Sequence, residues 1–391
     1  MSGWPVVRLD DCTQIVSGAT PSTSQSAYWD GDIDWATPKD LSELEGPYIS
    51  STPRRITRAG LESCGATVLP PESILFSSRA PIGHVAINAV PMATNQGFKS
   101  FIPDRDRLHG KFLYHWLRLN RPFLESLGNG ATFKEVSKAI VSRIEIPLPP
   151  VREQRRIAEI LDKADALRAK RRAALAQLDT LTQSIFLDMF GDPTLNPKAW
   201  PKETIGEIAE QVTDGEHLTP RRTTTGIKLL SARNVRDGYL DFENVDYIGA
   251  DEYERISRRC DPSAGDVLIS CSGTIGRVAS VETAEKFSLV RSAALIRPNA
   301  SRVGQKFLEH YLRTPALKAR MLRRANASSQ ANLFQGQIRE LPVYVPPLGL
   351  QREFACQVLA VQRLRSFHRA SLSELDALFA SLQHRAFRGE L

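Results

Sequence analysis

Cysteine is scarce in this chain, and its few copies form no motif. The five cysteines are scattered and none belongs to a Cys-x-x-Cys pair; they are Cys12, Cys64, Cys260, Cys271 and Cys356. Disulfide frameworks use even numbers of cysteines, and zinc sites use closely spaced pairs. We therefore expect reduced thiols in a cytoplasmic protein and no zinc knuckle.

Long apolar runs are also missing. No stretch of about 18 consecutive apolar residues occurs, so the sequence predicts no membrane-spanning helix. The opening residues, MSGWPVVRLDDC, contain no basic segment followed by an apolar one, so we expect no secretory signal.

Motifs of catalysis are absent as well. A P-loop needs GxxxxGK[ST], and the nearest segment, GNGATFK (128–134), lacks the glycine before its lysine. The seven histidines form no HxxxH or HxH pair of the kind that binds metals. No segment matches the acidic-or-Asn-Pro-Pro-aromatic motif with which adenine methyltransferases hold a flipped base. We expect a non-catalytic chain with no metal and no cofactor of its own.

The overall composition is that of an ordinary globular protein, with 42% hydrophobic and 24% charged residues in 391. This length suggests two or three domains. A surplus of 51 basic over 44 acidic side chains gives a net charge of +7. That surplus mildly favours a polyanionic partner, although a solvated, arginine-rich surface explains it equally well.

The most informative feature is an internal repeat with a period of about 195 residues. The matching segments keep their order and nearly constant spacing; they are Trp4-Pro5 with Trp200-Pro201, 74–87 with 267–280, 111–113 with 306–308, and 147–161 with 344–358. We interpret the chain as a tandem duplication.

Each repeat begins with a segment of about 150 residues that predicts a mixed α+β globule. Short apolar runs predict strands at ATVLP, SILFS and HVAINAV in the first repeat, and at VLISC and GRVAS in the second. Residues 108–127 and 303–322 have apolar residues at helical spacing.

Each repeat then continues into a segment that predicts one long helix. Each helix follows a Pro-Pro pair and ends near a glycine, Gly191 or Gly389, that can adopt a left-handed cap. Apolar residues alternate at three and four positions, as in a coiled-coil seam. They are Ile157, Ile160, Leu161, Ala164, Leu167, Leu175, Leu178, Leu181 and Ile185 in the first helix, and Phe354, Val358, Val361, Leu364, Leu372, Leu375, Leu378 and Leu382 in the second.

The layout is therefore globule (1–150), helix (151–190), globule (191–347), helix (348–391). We expect the two helices to pair antiparallel and to hold the globules about 50 Å apart, related by an approximate twofold. Such a geometry suits two readers of short DNA half-sites separated by unread base pairs. The alternative is that each helix packs only on its own globule.

Several motifs resemble one known family, the DNA-specificity subunits of Type I restriction-modification systems. Residues 17–41, SGATPSTSQSAYWDGDIDWATPKDL, are similar to the opening of its target-recognition domains, although Ala19 replaces the usual second small residue. IPLPPVREQRRIAEILD (146–162) resembles the entry into the central spacer helix, MFGDP (189–193) its exit, and AFRGEL (386–391) the usual C-terminus. The second repeat departs from this pattern, because it lacks the Trp-Gly-Asp-Ile box and has Leu350 where Glu153 stands.

The resemblance implies two globules that each read one half of a split DNA sequence, and paired helices that act as a spacer. It implies double-stranded DNA, two methyltransferase subunits and restriction or translocase subunits as partners. S-adenosylmethionine, ATP and magnesium would belong to those subunits, and the methylated adenine would flip into the methyltransferase.

Polar loop residues are the candidates for DNA contact, because arginine, lysine and hydroxyl groups bind phosphates while arginine and amides read bases. In the first globule they are Ser22, Thr23, Lys39, Ser77, Arg79, Asn95, Gln96, Lys99, Thr132 and Lys134. In the second they are Thr219, Arg221, Arg222, Arg233, Asn234, Arg277, Arg291, Gln330 and Asn332.

Other residues in the same segments have structural explanations. We expect Trp29 and Trp35 to be core residues, and Gly83 and Gly276 to permit a positive φ in matching turns. His115 and His310 occupy matching helical positions and are expected to pack.

Three alternatives remain open at this stage. The chain could be a coiled-coil scaffold with incidental basic charge, or an enzyme with an unrecognised catalytic motif. It could also be the specificity subunit of a methylation-only or other phage-defence complex.

Overall fold

A computed structural model describes residues 3–79, 81–130, 134–325 and 331–391. The chain forms two compact units, Met1–Arg171 with Ser371–Leu391, and Arg172–Ala370. None of the described helices combines the length and the apolar character that a bilayer span requires.

The first unit contains a mixed α+β globule. Its strands are β1 (Val6–Arg8), β2 (Thr13–Ser17), β3 (Trp29–Ala36), β4 (Tyr48–Ile49), β5 (Arg55–Ile56), β6 (Ile74–Phe76), β7 (Val85–Asn88), β8 (Met92–Thr94), β9 (Lys99–Pro103) and β10 (Glu145–Pro147). Its shorter helices are α1 (Leu9–Cys12), α2 (Pro38–Ser42), α3 (Arg58–Cys64), α4 (Gly110–Leu119), α5 (Arg121–Ser126) and α6 (Lys138–Ser142), with a 3₁₀ turn at Ser26–Tyr28.

These strands form three sheets, in the orders β2-β9-β6-β7-β4, β5-β3-β8 and β1-β10. Pairing is mostly antiparallel, but β3 runs parallel to β8 and β4 parallel to β7. Parallel neighbours end at the same edge, so the loops that follow β3 and β8 lie side by side.

The second unit repeats this plan. Its strands are β11 (Lys202–Thr204), β12 (Ala209–Asp214), β13 (Arg222–Thr223), β14 (Ile227–Leu230), β15 (Val235–Arg236), β16 (Tyr239–Leu240), β17 (Asp246–Ile248), β18 (Val267–Ser270), β19 (Val278–Ser280), β20 (Phe287–Leu289), β21 (Ala293–Pro298) and β22 (Pro342–Tyr344). A long helix, α7 (Val151–Phe190), precedes the second globule in the chain. The shorter helices of the second unit are α8 (Ile205–Ile208), α9 (Ala250–Ser257), α10 (Gln305–Arg313), α11 (Pro315–Ala325) and α12 (Gln335–Arg339).

The sheet orders of the second unit match those of the first, apart from the edge strands β4 and β13 and the additional pair β15-β16. The sheet β12-β21-β18-β19 corresponds to β2-β9-β6-β7, and β17-β14-β20 corresponds to β5-β3-β8, with β14 parallel to β20. The duplication inferred from sequence is therefore present in the topology. One predicted strand is wrong, because ATVLP contributes only an isolated bridge between Leu69 and Met92.

Two long helices were predicted, and both are present: α7 and α13 (Leu348–Ala386). Gly191 follows the first with φ 82° and Gly389 lies just beyond the second with φ 73°, the left-handed conformation expected of both. Residues 151–171 of α7 belong to the first unit and the rest of this helix to the second.

In the first unit α7 packs both on its globule and against the end of α13. Ile157 and Leu161 are fully buried in a core that also contains Phe379 and Ala386. Arg168 Nε donates to Asp376 Oδ1 at 2.6 Å, and Arg156 approaches the carbonyl of Leu391 at 3.3 Å. Residues earlier in α7 thus contact residues later in α13, so the two segments are antiparallel.

The junction between globule and helix in the first unit includes a cluster of ion pairs. Lys111 Nζ and His115 Nε2 of α4 contact the two oxygens of Asp162 at 2.7 and 2.8 Å, and Arg118 donates to Asp165 at 2.8 Å. Burial alone would raise the pKa of Asp162, but the hydrogen bonds from His115 and Lys111 outweigh it and hold that pKa below its ordinary value.

In the second unit the equivalent junction is aromatic. Phe186 and Phe190 of α7 meet Phe354 of α13 with ring centroids 5.5 and 5.3 Å apart. Phe307 of α10 lies 4.9 Å from Phe190. Asp179 pairs with Arg365 at 3.1 Å, so here too the helix segments are antiparallel.

The predicted seam is only partly buried. Leu167 is 54% exposed, Leu181 41%, Leu364 46% and Leu378 51%. Their assignment to the buried seam was wrong, because much of the apolar face of each helix packs on a globule and the remaining positions are left uncovered. His115 is buried as expected, and His310 packs against Phe354 with its pKa lowered to about 4 by burial.

The aromatic junction gives the first prediction. Phe354→Ala should destabilise the second unit by about 3–5 kcal/mol, because it removes a fully buried ring and leaves a cavity. Phe367→Ala, on the same helix but 64% exposed, is the matched control and should change stability by less than about 0.5 kcal/mol. Urea unfolding of the purified chain measures both, and equal effects would contradict this packing.

The ionic junction gives a second prediction. Asp162→Asn should cost about 1–2 kcal/mol at neutral pH, because it removes charge-assisted contacts to Lys111 and His115 in a partly solvated site. The folded-state pKa of Asp162 is below the ordinary 3.8, so its contribution is present above that value and is lost as pH falls through the folded-state pKa. The difference in the free energy of unfolding between wild type and Asp162→Asn should therefore become smaller in acid. Glu159→Gln, exposed on the same helix, is the control; a gap independent of pH would contradict the assignment.

Candidate nucleic-acid interface

Loops of the first unit converge where the parallel strands β3 and β8 end. We call residues 18–25, 37–40, 77–79, 81–83, 95–98 and 134–136 the first loop cluster. Backbone hydrogen bonds join these loops directly; donor first, they are Asn95–Ala36 (3.0 Å), Ala19–Thr94 (2.9 Å), Gly18–Phe98 (3.3 Å), Ser78–Gly97 (2.7 Å) and Val136–Ser78 (2.9 Å). Loops at the carboxyl ends of parallel strands commonly form ligand sites.

The second unit holds its loops with the same bonds. We call residues 215–222, 231–234, 270–277, 290–293 and 332–334 the second loop cluster. The equivalent bonds are Val290–Leu230 (3.0 Å), Glu216–Leu289 (2.8 Å), Gly215–Ala293 (3.0 Å), Cys271–Ser292 (2.7 Å) and Leu333–Cys271 (2.8 Å). Because main-chain atoms make them, the framework persists although most side chains differ.

A serine-centred turn recurs in both clusters. Ser77 Oγ donates to the Pro81 carbonyl at 2.7 Å and accepts from the His84 amide at 2.8 Å. Ser270 makes the equivalent bonds to Thr274 and Arg277. The glycines of these turns, Gly83 and Gly276, have φ of 92° and 80°, as predicted.

A second turn recurs, after β3 in the first unit and after β14 in the second. The amide and hydroxyl of Thr37 both donate to Asp40 Oδ2, at 2.7 and 2.8 Å. Ser231 and Asn234 repeat this arrangement, with distances of 3.0 and 3.2 Å. Lys39 and Arg233 thus occupy the same position on equally constrained turns.

Two tryptophans, Trp29 and Trp35, donate hydrogen bonds to the loop 18–25 of the first cluster. The indole N–H of Trp35 donates to the Ala19 carbonyl at 3.0 Å, and that of Trp29 donates to the Ser22 carbonyl at 3.1 Å. Trp35 is buried as expected, but Trp29 is only half-buried and the Arg54 guanidinium lies 3.9 Å from its ring centroid.

Charge in the first cluster centres on Glu135. Lys99 Nζ lies 3.1 Å and Arg79 Nη1 3.7 Å from its carboxylate oxygens. Lys134, the neighbouring residue, points its exposed side chain to solvent. The cluster combines exposed cations with hydroxyls, which suits a phosphate backbone.

Arginines are more numerous in and beside the second cluster. Arg222 and Arg233 approach the same Asp246 oxygen at 3.1 and 3.5 Å. Arg255 pairs with Glu216 and Glu252, and its hydrogen bond helps hold the pKa of Glu252 below the ordinary value. The arginines of these pairs are open to solvent, where ion pairs are individually weak, so a polyanion can compete for them.

The clusters gather most of the predicted contact residues. Ser22, Thr23, Lys39, Gln96, Lys134, Thr219, Arg221, Arg222, Arg233 and Arg291 are exposed, and Arg79, Asn95, Arg277 and Asn332 are half-buried. Thr132 and Gln330 lie outside the described residues.

Three predicted contacts have their side chains inside the fold. Ser77 and Asn234 are 0% and 2% exposed and form the turns described above. The Lys99 side chain is 9% exposed and pairs with Glu135. Because their polar groups are already used by the fold, we remove these three residues from the contact set.

Sequence reasoning also missed residues that the clusters contain or adjoin. Thr20 donates its hydroxyl to the Gln96 side chain, Glu135 pairs with two predicted contacts, and Arg54 stacks on the tryptophan box. The alignment of Lys39 with Arg233 was readable from the repeat, but Glu135 and Arg54 carried no sequence signal.

Three of the cysteines are buried, and burial changes the pKa of their thiols. Burial raises the pKa of Cys12 to about 11 and those of Cys260 and Cys271 to about 12, so these thiols stay protonated at neutral pH. All five cysteines are free. Within the described ranges, no group of three or more histidine, cysteine or acidic side chains is arranged to hold a metal ion.

The repeated framework corresponds to a known family. A family model described as "Type I restriction modification DNA specificity domain" matches residues 1–177 and 197–375. The chain belongs to this family. Its two matched segments coincide with the two repeats, so each repeat is one copy of the specificity domain.

Named members of the Type I specificity family resemble the chain to different extents. The MjaIX specificity subunit of Methanocaldococcus jannaschii is 35% identical over 222 residues, a match that covers 52% of this chain and 51% of that relative. The EcoKI specificity subunit of Escherichia coli K12 is 21% identical over 421 aligned positions, covering 100% of this chain and 89% of that relative. The chain thus spans about half the length of the first relative.

Solved structures of this family share the fold. A chain from a study of complex assembly and conformational transition in a type I R-M system matches with a TM-score of 0.63 at 19% identity, covering 100% of this chain and 99% of that one. The S subunit of a Type I system from M. genitalium matches with a TM-score of 0.61 at 16% identity, covering 98% of this chain and 96% of that one.

The serine turn gives a third prediction. Ser77→Ala should lower stability by about 1 kcal/mol, because the His84 amide and the Pro81 carbonyl lose their hydrogen bonds to a fully buried serine. The preference of the Ser77→Ala variant among DNA sequences should be unchanged. Ser22→Ala, exposed in the same cluster, should keep stability within about 0.5 kcal/mol and weaken binding to all sequences alike. Thermal unfolding and duplex binding test this; a changed base preference in Ser77→Ala would contradict the structural role.

Proposed function

We propose that this chain is the DNA-specificity subunit of a Type I restriction-modification complex, and that each loop cluster reads one half of a split, asymmetric DNA sequence. The observation that carries the proposal is the repeated backbone framework with unlike exposed side chains. A shared framework supports a shared way of docking, while different side chains support different bases.

The proposed contact residues are the exposed and half-buried members of both clusters. Arginine, lysine and hydroxyl groups would hold the phosphates, and side chains with paired donors and acceptors would read base edges. The boundaries 1–150, 151–190, 191–347 and 348–391 remain our proposal for the two recognition domains and two spacer helices.

The spacer helices are the proposed docking surface for two methyltransferase subunits. Exposed apolar side chains on the helices support this: Leu167, Leu181, Leu364 and Leu378 are each more than 40% exposed. Uncovered apolar side chains of this size favour a protein partner. S-adenosylmethionine, ATP and magnesium would act in those partners and in restriction subunits, not in this chain.

Co-expression of the chain with a cognate methyltransferase subunit tests the proposal. Sequencing that detects N6-methyladenine should show one gapped, asymmetric motif. Exchanging residues 1–150 for another family member's domain should alter only one half of this motif. The donor domain should keep counterparts of Lys111, Phe112 and His115, because these residues contact α7 and the C-terminal segment.

Two controls make the exchange decisive. The reciprocal exchange of the second domain should alter only the other half. A chimaera carrying the native domain reinserted through the same junctions should keep the parental motif. If one exchange changes both halves, or if the parental complex shows no sequence preference, the two-reader proposal is wrong.

A further inference from the structure

Gln96 and Arg291 occupy the same position in the two loop clusters. Each is the second residue of a tight turn after a parallel strand, closed by a backbone bond of 3.2 Å from Phe98 to Asn95 and of 3.0 Å from Ala293 to Val290. The strand registers agree, since Met92 pairs with Asp34 and Phe287 with Lys228 at equivalent places. The backbone thus presents both side chains in the same way.

A second equivalent pair lies beside the first. Lys39 and Arg233 stand on the capped turns after β3 and β14, the partners of β8 and β20. Packing keeps the two turns of each cluster together: a Cβ at Gly97 would lie 3.0 Å from Pro38, and the Ala232 amide donates to Ser292 Oγ at 3.0 Å. Each unit therefore presents two neighbouring side chains from one rigid edge.

The two pairs differ in chemistry. Lys39 and Arg233 both carry positive charge, whereas Gln96 and Arg291 differ in hydrogen-bonding pattern. Phosphates are the same in every half-site, so groups that bind them keep their charge; groups that read bases must change when the base changes. Glutamine matches the N6 and N7 edge of adenine, and arginine matches the O6 and N7 edge of guanine.

We propose that Gln96 and Arg291 read the base pair at one equivalent position of the two half-sites, adenine in the first and guanine in the second. Lys39 and Arg233 bind the adjoining phosphates. This inference rests on the proposed function and assigns the specificity-determining residues of that same site.

The side chains are available for these contacts. Gln96 is exposed, and the Thr20 hydroxyl occupies one lone pair of its Oε1, which leaves the second lone pair and the Nε2 hydrogens for the N6 and N7 edge of adenine. Arg291 is exposed, and its guanidinium forms no hydrogen bond or ion pair with any residue in the described ranges. Lys39 and Arg233 are 78% and 59% exposed, and their acidic neighbours lie at 3.6 and 3.5 Å, so phosphates can displace them.

The test uses the complex of the full chain with its methyltransferase subunit. Methylated motifs are first determined for wild type, and methylation rates are then measured on duplexes carrying each base at each half-site position. Gln96→Arg should change one position of the first half from adenine to guanine. Arg291→Gln should change the equivalent position of the second half from guanine to adenine. The preferred base should shift by about 5- to 100-fold in rate.

The phosphate contacts are tested by salt dependence. Lys39→Gln and Arg233→Gln should weaken DNA binding equally for all bases and reduce the salt slope by about 1 each. Gln14→Arg, exposed near the opposite end of β2, and Lys202→Gln, exposed on β11, are matched controls that should alter neither motif nor slope.

Each outcome separates this inference from the function it rests on. A wild-type complex without a split motif would end the proposed function itself. A split motif whose preferences survive Gln96→Arg and Arg291→Gln unchanged would overturn only the base assignment. If Gln96→Arg abolishes methylation, Gln96→Ala decides: it should relax a single A·T position, whereas unchanged discrimination, or loss at several positions, overturns the inference.

Discussion

The backbone hydrogen bonds at the ends of the short parallel strands are the constraint on which the rest of the interface depends. In each unit an amide after β8 or β20 donates to the last carbonyl of the neighbouring strand, and a loop from β2 or β12 closes over both. Main-chain groups are present whatever the side chain, so the duplicated halves keep one framework while their exposed residues diverge. A chain that must recognise two unlike sequences can therefore use one fold twice.

The fold also decides which polar groups remain free for a ligand. Ser77, Asn234 and Lys99 have suitable chemistry, but turns and an ion pair already use it. Arg291 and Gln96 lie exposed on the tips of tight turns, and the hydroxyl of Thr20 uses only one acceptor position of the Gln96 side chain. Leaving a buried polar group without its partner costs free energy of folding, so substitutions of the turn-forming side chains are expected to lower stability. The exposed side chains at the turn tips can be substituted without this cost.

The long helices join segments that are distant in sequence. The first unit includes the chain's last residues, since Phe387 lies 5.2 Å from Phe112 and Phe379 lies beside His115. The second unit buries Phe186 and Phe190 of α7 with Phe354 of α13. The first junction adds a cluster of ion pairs to its apolar contacts, whereas aromatic rings dominate the second, although the helices α4 and α10 that face them share a Lys-Phe-Leu segment.

The sequence by itself determined the duplication, the α+β character of each half, the bounds of both long helices within a few residues, and the turn glycines. These are local properties: periodicity, helix propensity and the φ that glycine permits act within a few residues of chain. The family resemblance followed from motifs of the same local kind.

Only the tertiary structure decided which of the predicted contact residues are exposed and which already use their polar groups in hydrogen bonds or ion pairs within the fold. It also left Leu167 and Leu378 uncovered despite their seam spacing, and brought Glu135 to Lys99 and Arg54 to Trp29. The physical reason is that burial and pairing depend on residues far apart in the chain, whose meeting no local pattern specifies.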